Sequence, residues 1–253
     1  MDINEVSGTM KSRHPWELSR TKCILESIQP YLSGMQRSGK KGRIRYLNIG
    51  AGDLYFDHAL LKRYRTHSAY AVDIGYDSDR HVGGGNIQKF RCLEEIEEDG
   101  FDYALLMDSL EYMEDDMEYI TQLCNKLNKG AWLFFTLPAF QKLWSDHDVI
   151  VKLLRRYDRK SFLKQLGQIK QITIIEEHYF YFTLLCIRGI QKMLRLPIDP
   201  GHKVTTGWRF QEKGWVTKLV TGCLNLDFKI GVMLKKYGIC LPGLSLFVVC
   251  RKD

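Results

Sequence analysis

The stretch from Tyr46 to Phe56 constrains the fold more than any other. It reads Tyr-Leu-Asn-Ile-Gly-Ala-Gly-Asp-Leu-Tyr-Phe, an apolar run that stops at a Gly-x-Gly turn and resumes with helical spacing. Ile44, Tyr46, Leu47 and Ile49 are β-type residues in a run too short for a helix, while Gly50 and Gly52 permit positive φ and leave bare backbone in the loop. Leu54, Ala59, Leu60, Leu61 and Tyr64 then follow near the spacing of a helix packed on a sheet. The next apolar patch, Ala69 to Val72, ends in Asp73. An acidic residue about 20 positions beyond a glycine turn suits the two hydroxyls of a ribose. Strand, glycines, helix, strand and acid together describe a nucleoside-binding half-fold.

Two cofactor classes use such a half-fold. Dinucleotides favour Gly-x-Gly-x-x-Gly, and Tyr55 stands at the sixth position here, which weighs against NAD or FAD. The 253 residues, 45% hydrophobic, suffice for one sizeable core with an insertion. The longest apolar stretches, Tyr179 to Ile187 and Ile239 to Cys250, fall short of the ~20 residues that span a bilayer. The first residues carry Asp2, Glu5, Lys11 and Arg13 rather than an apolar leader, and seven irregularly spaced cysteines form no Cys-x-x-Cys pair. A reducing cytoplasm is expected, and no metal. The net charge of +7 favours phosphates or anionic lipid, but its bases are scattered, which disfavours nucleic acid.

Along the chain, His14-Pro15-Trp16-Glu17 opens a helix striped with Trp16, Ile24, Ile28, Tyr31 and Leu32. A third strand is placed around Asn86 to Phe90. Phe101 to Met107 is a strand covered on both faces, followed by Asp108 and Ser109, then by a helix charged at its start by Asp115 and Asp116. That helix closes at Lys126 to Gly130, and Ala131 to Leu137 is the next strand. Asp158 caps a short helix ending at Gly167, Gln171 to Glu176 alternates as a strand, and Leu244 to Cys250 is the last one. Between those two strands lie helical patterns at Tyr179 to Leu196 and Trp208 to Lys236. Alternation of strand and helix implies a doubly wound parallel sheet with ligands at the strand C-termini.

At this point the chain resembles class I S-adenosylmethionine-dependent methyltransferases, and among them a bacterial group often found beside glycan-building enzymes. The likeness rests on Trp16 with Arg20, Leu47 to Gly52, Asp73, Leu110 to Asp116, Leu137-Pro138-Ala139, Leu143-Trp144-Ser145-Asp146-His147-Asp148, Arg155-Arg156-Tyr157 and Pro242 to Leu246. The chain departs from the group at Asn48, Leu54, Tyr112 and Lys152-Leu153, where many relatives carry an acid, a third glycine, a histidine and Gly-His. The resemblance implies a Rossmann-like, mostly parallel seven-stranded sheet with an antiparallel last strand and a helical insertion before it. Residues 1–43 would form an N-terminal helix and connection, 44–177 with 244–253 the core, and 178–243 the insertion, serving as lid or acceptor-binding subdomain.

The resemblance also implies S-adenosylmethionine as cofactor and methyl transfer to an oxygen or nitrogen of a small-molecule or saccharide acceptor. Gly50, Ala51, Gly52, Asp73, Ile74, Asp108 and Ser109 are expected around the cofactor, with Asn86 and Ile87 beside the adenine if the third strand ends there. Tyr112, Trp144, Asp148, Arg155, Arg156 and Tyr157 are expected on the acceptor side. His147 is the candidate base, because an imidazole titrates near neutrality; its duller reading is a hydrogen-bonded cap. Asp148 either orients that imidazole or pairs with an arginine. Arg188, Lys192 and Arg195 make the insertion's first helix basic and amphipathic, a pattern compatible with peripheral contact at the inner face of a membrane. A nucleoside-binding protein without turnover and a nicotinamide-dependent reductase are the alternatives.

Overall fold

In the computed structural model, which describes residues 13–37, 42–76, 85–194 and 214–253, the chain runs α1 (Pro15–Arg37), β1 (Ile44–Ile49), α2 (Tyr55–Arg63), β2 (His67–Val72), β3 (Ile87–Phe90), β4 (Phe101–Met107), α3 (Asp116–Lys126) and β5 (Leu127–Pro138). It continues as α4 (Asp146–Ile150), α5 (Arg159–Leu166), β6 (Ile172–Phe180), α6 (Phe182–Met193), α7 (Gly214–Lys236) and β7 (Ser245–Lys252). The seven strands form one sheet in the order β3-β2-β1-β4-β5-β7-β6. β1 to β5 are parallel, and β7 runs antiparallel to both β5 and β6. This is the Rossmann-like doubly wound sheet expected from the sequence. The order reverses between β1 and β4, and the carboxyl edge at such a switch point is where a doubly wound sheet places its ligand crevice.

Alternation along each strand explains why both faces need cover. Leu47, Ile49, Tyr70, Val72, Ala104, Leu106, Leu133 and Phe135 point into one core, with Ile120, Leu123 and Phe162 from the helices on that side. Tyr46, Ala69, Ala71, Tyr103, Leu105 and Phe134 point into the other, beneath Ile24, Ile28 and Leu32 of α1 and Leu60 of α2. In the second core Tyr46 and Tyr103 stack at 4.8 Å.

Three boundaries differ from those read in the sequence. β5 starts at Leu127, directly after α3, because Gly130 adopts φ 78 and absorbs an irregularity in the register between Phe101 and Tyr103. β6 continues through His178, Tyr179 and Phe180, which pair with Phe247, Leu246 and Ser245. The approach there is close: a Cβ on Gly243 would lie 2.1 Å from the Phe180 carbonyl oxygen. The third difference is that α2 begins at Tyr55, with Leu54 in the left-handed conformation at φ 65. That conformation costs an L-residue about 1–2 kcal/mol, offset by burying the Leu54 side chain, worth about 1.5–3 kcal/mol at 7% exposure.

Asp57 is wholly buried on α2 and accepts hydrogen bonds from Tyr46 Oη and Asn48 Nδ2, both at 2.8 Å. Burial pushes its carboxyl up to about 6 from 3.8, against the pull of those two donors. A carboxyl raised on folding stabilises the protein most when protonated, so this contribution is present at low pH and lost as pH rises through 6. The difference corresponds to ~3 kcal/mol. Asp57→Asn is expected to flatten the stability profile between pH 4 and 7 and to be more stable than the parent at pH 8, as urea unfolding would measure.

Candidate active site

The turn after β1 is built from two positive-φ glycines, Gly50 at 71° and Gly52 at 58°. Gly50 N–H and Ala51 N–H both donate to the Val72 carbonyl, at 2.8 and 3.1 Å, which folds the turn over the end of β2. The loop after β2 then grips the Gly52 residue at both ends. Asp73 Oδ2 accepts from Gly52 N–H at 2.8 Å, and Tyr76 Oη donates to the Gly52 carbonyl at 2.7 Å. The other Asp73 oxygen accepts from Gly75 N–H at 3.0 Å. A carboxylate offers about four acceptor positions, so this half-buried group retains capacity for further donors. Beside it Ile74 presents an apolar side chain that is 82% exposed.

Gly50 has a second reason to be glycine. A Cβ there would stand 2.7 Å from Ser109 Cβ in the loop after β4. The two loops of the switch point therefore touch, and Ser109 Oγ is buried between them without a hydrogen-bond partner. Next to it Asp108 sits at φ 53, accepting from the Thr136 hydroxyl at 3.3 Å and forming an ion pair with Arg20 of α1. Arg20 also donates to Thr136 Oγ1, and its guanidinium lies 5.0 Å from the Trp16 ring. Arg13 pairs with Asp53 and covers the Tyr55 ring at 3.9 Å. The start of α1 thus lies across the crevice mouth, held by charges at two points. Glu111 is buried close by; burial first, and the Asp108 charge second, hold its carboxyl far above the usual range, with Arg20 opposing.

The segment from Phe140 to Tyr157 forms the other wall. Ser145 caps α4, and Asp148 returns the bond to Ser145 N–H at 2.8 Å in a capping box. Arg156 takes Asp148 in a two-pronged pair at 2.7 and 3.0 Å and reaches the Ala139 carbonyl at 3.3 Å. Arg155 donates to the Met113 and Glu114 carbonyls and pairs with Asp116 at 3.4 Å. Tyr157 Oη donates to Asp116 at 2.8 Å. Asp148, Arg155, Arg156 and Tyr157 thus spend their polar groups on fastening this loop to β5 and α3. Burial alone would raise the Asp148 carboxyl, but Arg156 outweighs it and holds it low. A depressed carboxyl adds stability above its unfolded value of 3.8 and loses it as pH falls through the folded one. Removing one partner strands a buried charge, so Arg156→Ala should cost about 3 kcal/mol at pH 7, and Asp148→Ala added to it should recover part of the loss. Urea unfolding of the single and double variants tests this.

His147, on the first turn of α4, is exposed at its rim and faces Arg188 of α6. Withdrawal from water and the Arg188 charge hold its imidazole below the ordinary value, with Asp148 opposing. It is therefore a neutral proton acceptor at pH 7. Arg188 is half-buried beside Arg156 and makes no hydrogen bond or ion pair among the described residues, while Lys192 donates to the Lys142 and Trp144 carbonyls. Both α6 bases therefore turn toward this wall; Arg195 lies outside the described residues. Tyr112, 47% exposed, ends a short 3-10 turn at Leu110–Tyr112.

Asn86 and Ile87 fall at the other end of the sheet. β3 begins at Ile87 rather than ending there: Ile87 pairs with Ala69, and it is Phe90 that stands level with Val72. Asn86 bonds Arg43 and the Arg65 carbonyl at the amino edge. At the carboxyl end of β3, Arg91 and Cys92 follow Phe90, whose carbonyl accepts from Asp73 N–H at 3.0 Å. A cleft of about 120 Å³ lined by Ile44, Asp102 and Asn128 also lies at the amino edge, where strand polarity does not place ligands. Among the described residues no cluster of three or more metal-ligating side chains occurs, and no helix is long and apolar enough to cross a membrane.

Residues 23–188 match the family described as "Methyltransferase domain". The chain belongs to that family. No curated protein matches the methyltransferase in sequence. Among solved structures, it is similar to the plantazolicin methyltransferase BpumL in complex with a monoazolic desmethylPZN analog and S-adenosylhomocysteine, at 13% identity and a TM-score of 0.53 over 92% of this chain and 84% of that one. Coclaurine N-methyltransferase, bound to N-methylheliamine and S-adenosylhomocysteine, aligns at 14% identity and 0.52 over 93% and 72%. A SAM-dependent methyltransferase from Archaeoglobus fulgidus aligns at 14% and 0.51 over 92% and 94%. S-adenosylmethionine is the cofactor that family and fold imply, and the methyltransferase has residues that fit it: a bare glycine turn, a carboxylate with acceptor capacity, an exposed Ile74 and an orphaned Ser109 hydroxyl. Sequence reading missed Arg20, Tyr76, Glu111 and Arg188 as site residues. For Arg20 a signal existed, since the four-residue step from Trp16 puts both on one helix face.

Proposed function

We propose that the protein transfers a methyl group from S-adenosylmethionine to an oxygen or nitrogen of a small-molecule or saccharide acceptor, in the cytoplasm and in contact with the inner face of a membrane. The observation that supports this most is the half-buried Asp73 carboxylate, bonded to Gly52 N–H, beside an 82% exposed Ile74. Asp73 would take the ribose hydroxyls, Ile74 one face of the adenine, and Gly50, Ala51 and Gly52 the methionyl arm. Asp108 and Arg20 present one charge of each sign, matching the zwitterionic end of that arm. When bound, the sulfonium supplies an electrophilic methyl group. The chain's share is orientation and the exclusion of water, in which α1 is the cover.

The acceptor would lie between this turn and the wall formed by Trp144, His147 and Tyr112, under the helical insertion. His147 would receive the proton that the acceptor atom sheds as it is methylated. The acceptor class rests on the resemblance of Trp16 with Arg20 and of Leu143 to Asp148 to glycan-associated relatives. Incubation with methyl-labelled cofactor and a panel of hydroxyl and amine acceptors tests the reading. Label in an acceptor supports it; cofactor binding with no label in any member favours a binding protein without turnover.

A further inference from the structure

The two insertion helices expose more apolar surface than a water-facing helix pair has reason to. α7 packs one face on α1, where Leu224 and Phe228 are buried and Ser19 Oγ bonds Asn225 at 2.9 Å. Its opposite face carries Trp215, Leu219, Leu226, Ile230 and Met233, with Tyr237 just past its end, at exposures between 41% and 78%. At 3.6 residues per turn these positions fall within an arc of about 60°, so they make a single stripe along the whole helix. Lys218, Lys229 and Lys236, all exposed, line one flank of it. On α6, Ile187, Ile190 and Met193 are 46%, 51% and 75% exposed. Asp227, the one acid on the two helices, turns inward and accepts Thr183 N–H at 3.3 Å.

We propose that the outer stripe of α7, with its lysine flank, seats the protein on an anionic lipid bilayer. An apolar stripe, flanking lysines and no outward acid are the features by which a helix lies in a membrane interface. Aromatic rings at both ends, Trp215 and Tyr237, suit the headgroup level. Lipid phosphates answer the lysines. A second copy of the chain would bring the same lysines and no outward acid from these helices. This deepens the membrane contact of the proposed function and moves it from the bases of α6, which face inward, to α7.

The test is flotation with vesicles of phosphatidylcholine alone and with added phosphatidylglycerol, using the whole chain without cofactor or acceptor. The wild type should float with the anionic vesicles only and be released by salt. Lys218→Gln, Lys229→Gln and Lys236→Gln should each weaken binding about fivefold, and Leu226→Gln with Ile230→Gln should abolish it while leaving S-adenosylhomocysteine affinity unchanged. Failure to float with anionic vesicles overturns the proposal, as does binding that ignores these substitutions. Dimerisation in the absence of lipid that the Leu226 and Ile230 changes abolish would assign the stripe to a second copy and overturn it too. Because affinity for S-adenosylhomocysteine is measured separately, either result leaves the methyl-transfer reading standing or falling by its own test.

Discussion

Gly50→Ala is expected to lose cofactor binding and a large part of the fold's stability together. The added methyl would stand 2.7 Å from Ser109 Cβ, well inside van der Waals contact, and the residue would be asked to hold φ 71. Left-handed backbone alone costs an L-residue about 1–2 kcal/mol, and the overlap adds to that, because both loops are anchored. The Gly50 side is fixed by the Val72 carbonyl, and the Asp108–Ser109 side by Thr136 and Arg20. The loops must part, so the turn can no longer present its backbone beside Asp73. Calorimetry with S-adenosylhomocysteine should show affinity reduced by about a hundredfold or more, the equivalent of ~3 kcal/mol. Adding Ser109→Gly removes the overlap but not the φ penalty, so the double variant should recover stability in part. Full affinity in Gly50→Ala would mean that the turn does not touch the cofactor.

The second large effect concerns turnover. His147→Asn is expected to lower kcat by about a hundredfold to ten-thousandfold, the usual contribution of a positioned base, while cofactor affinity stays unchanged. Loss of water first, and the Arg188 charge second, hold the imidazole below its ordinary value, so it is neutral and able to accept at pH 7. The wild-type rate should therefore rise with pH through a value under 6.5 and then level, and that limb should vanish in the variant. A histidine that only caps the loop would lower stability and leave the limb in place.

The residues that carried the sequence reading were those whose chemistry is local. Gly50 and Gly52 announce positive φ, Phe101 to Met107 announce a strand covered twice, and Asp115 announces a helix start, where it does accept Glu118 N–H at 2.9 Å. What stayed hidden was set by partners distant in sequence. Nothing near Asn86 says that β3 begins there, because its register depends on Ala69 to Val72 across the sheet edge. Nothing near Arg20 says that it reaches Asp108, 88 positions later. The Arg-Arg-Tyr motif looks like an anion site until Asp148 and Asp116 are seen to fill it. The outward stripe on α7 is apolar enough to pass for core, and only the fold shows which side of that helix α1 covers.

The central claim is that an adenosyl ligand rests on the glycine turn with its ribose on Asp73. Titration calorimetry of the wild type and of Asp73→Ala, with S-adenosylhomocysteine and separately with NAD, tests it most directly. Saturable heat with S-adenosylhomocysteine, weakened about tenfold or more by Asp73→Ala, as loss of charge-assisted hydrogen bonds requires, and none with NAD is the predicted result. No heat with S-adenosylhomocysteine, tighter binding of NAD, or an Asp73→Ala variant that binds as the wild type does would contradict it.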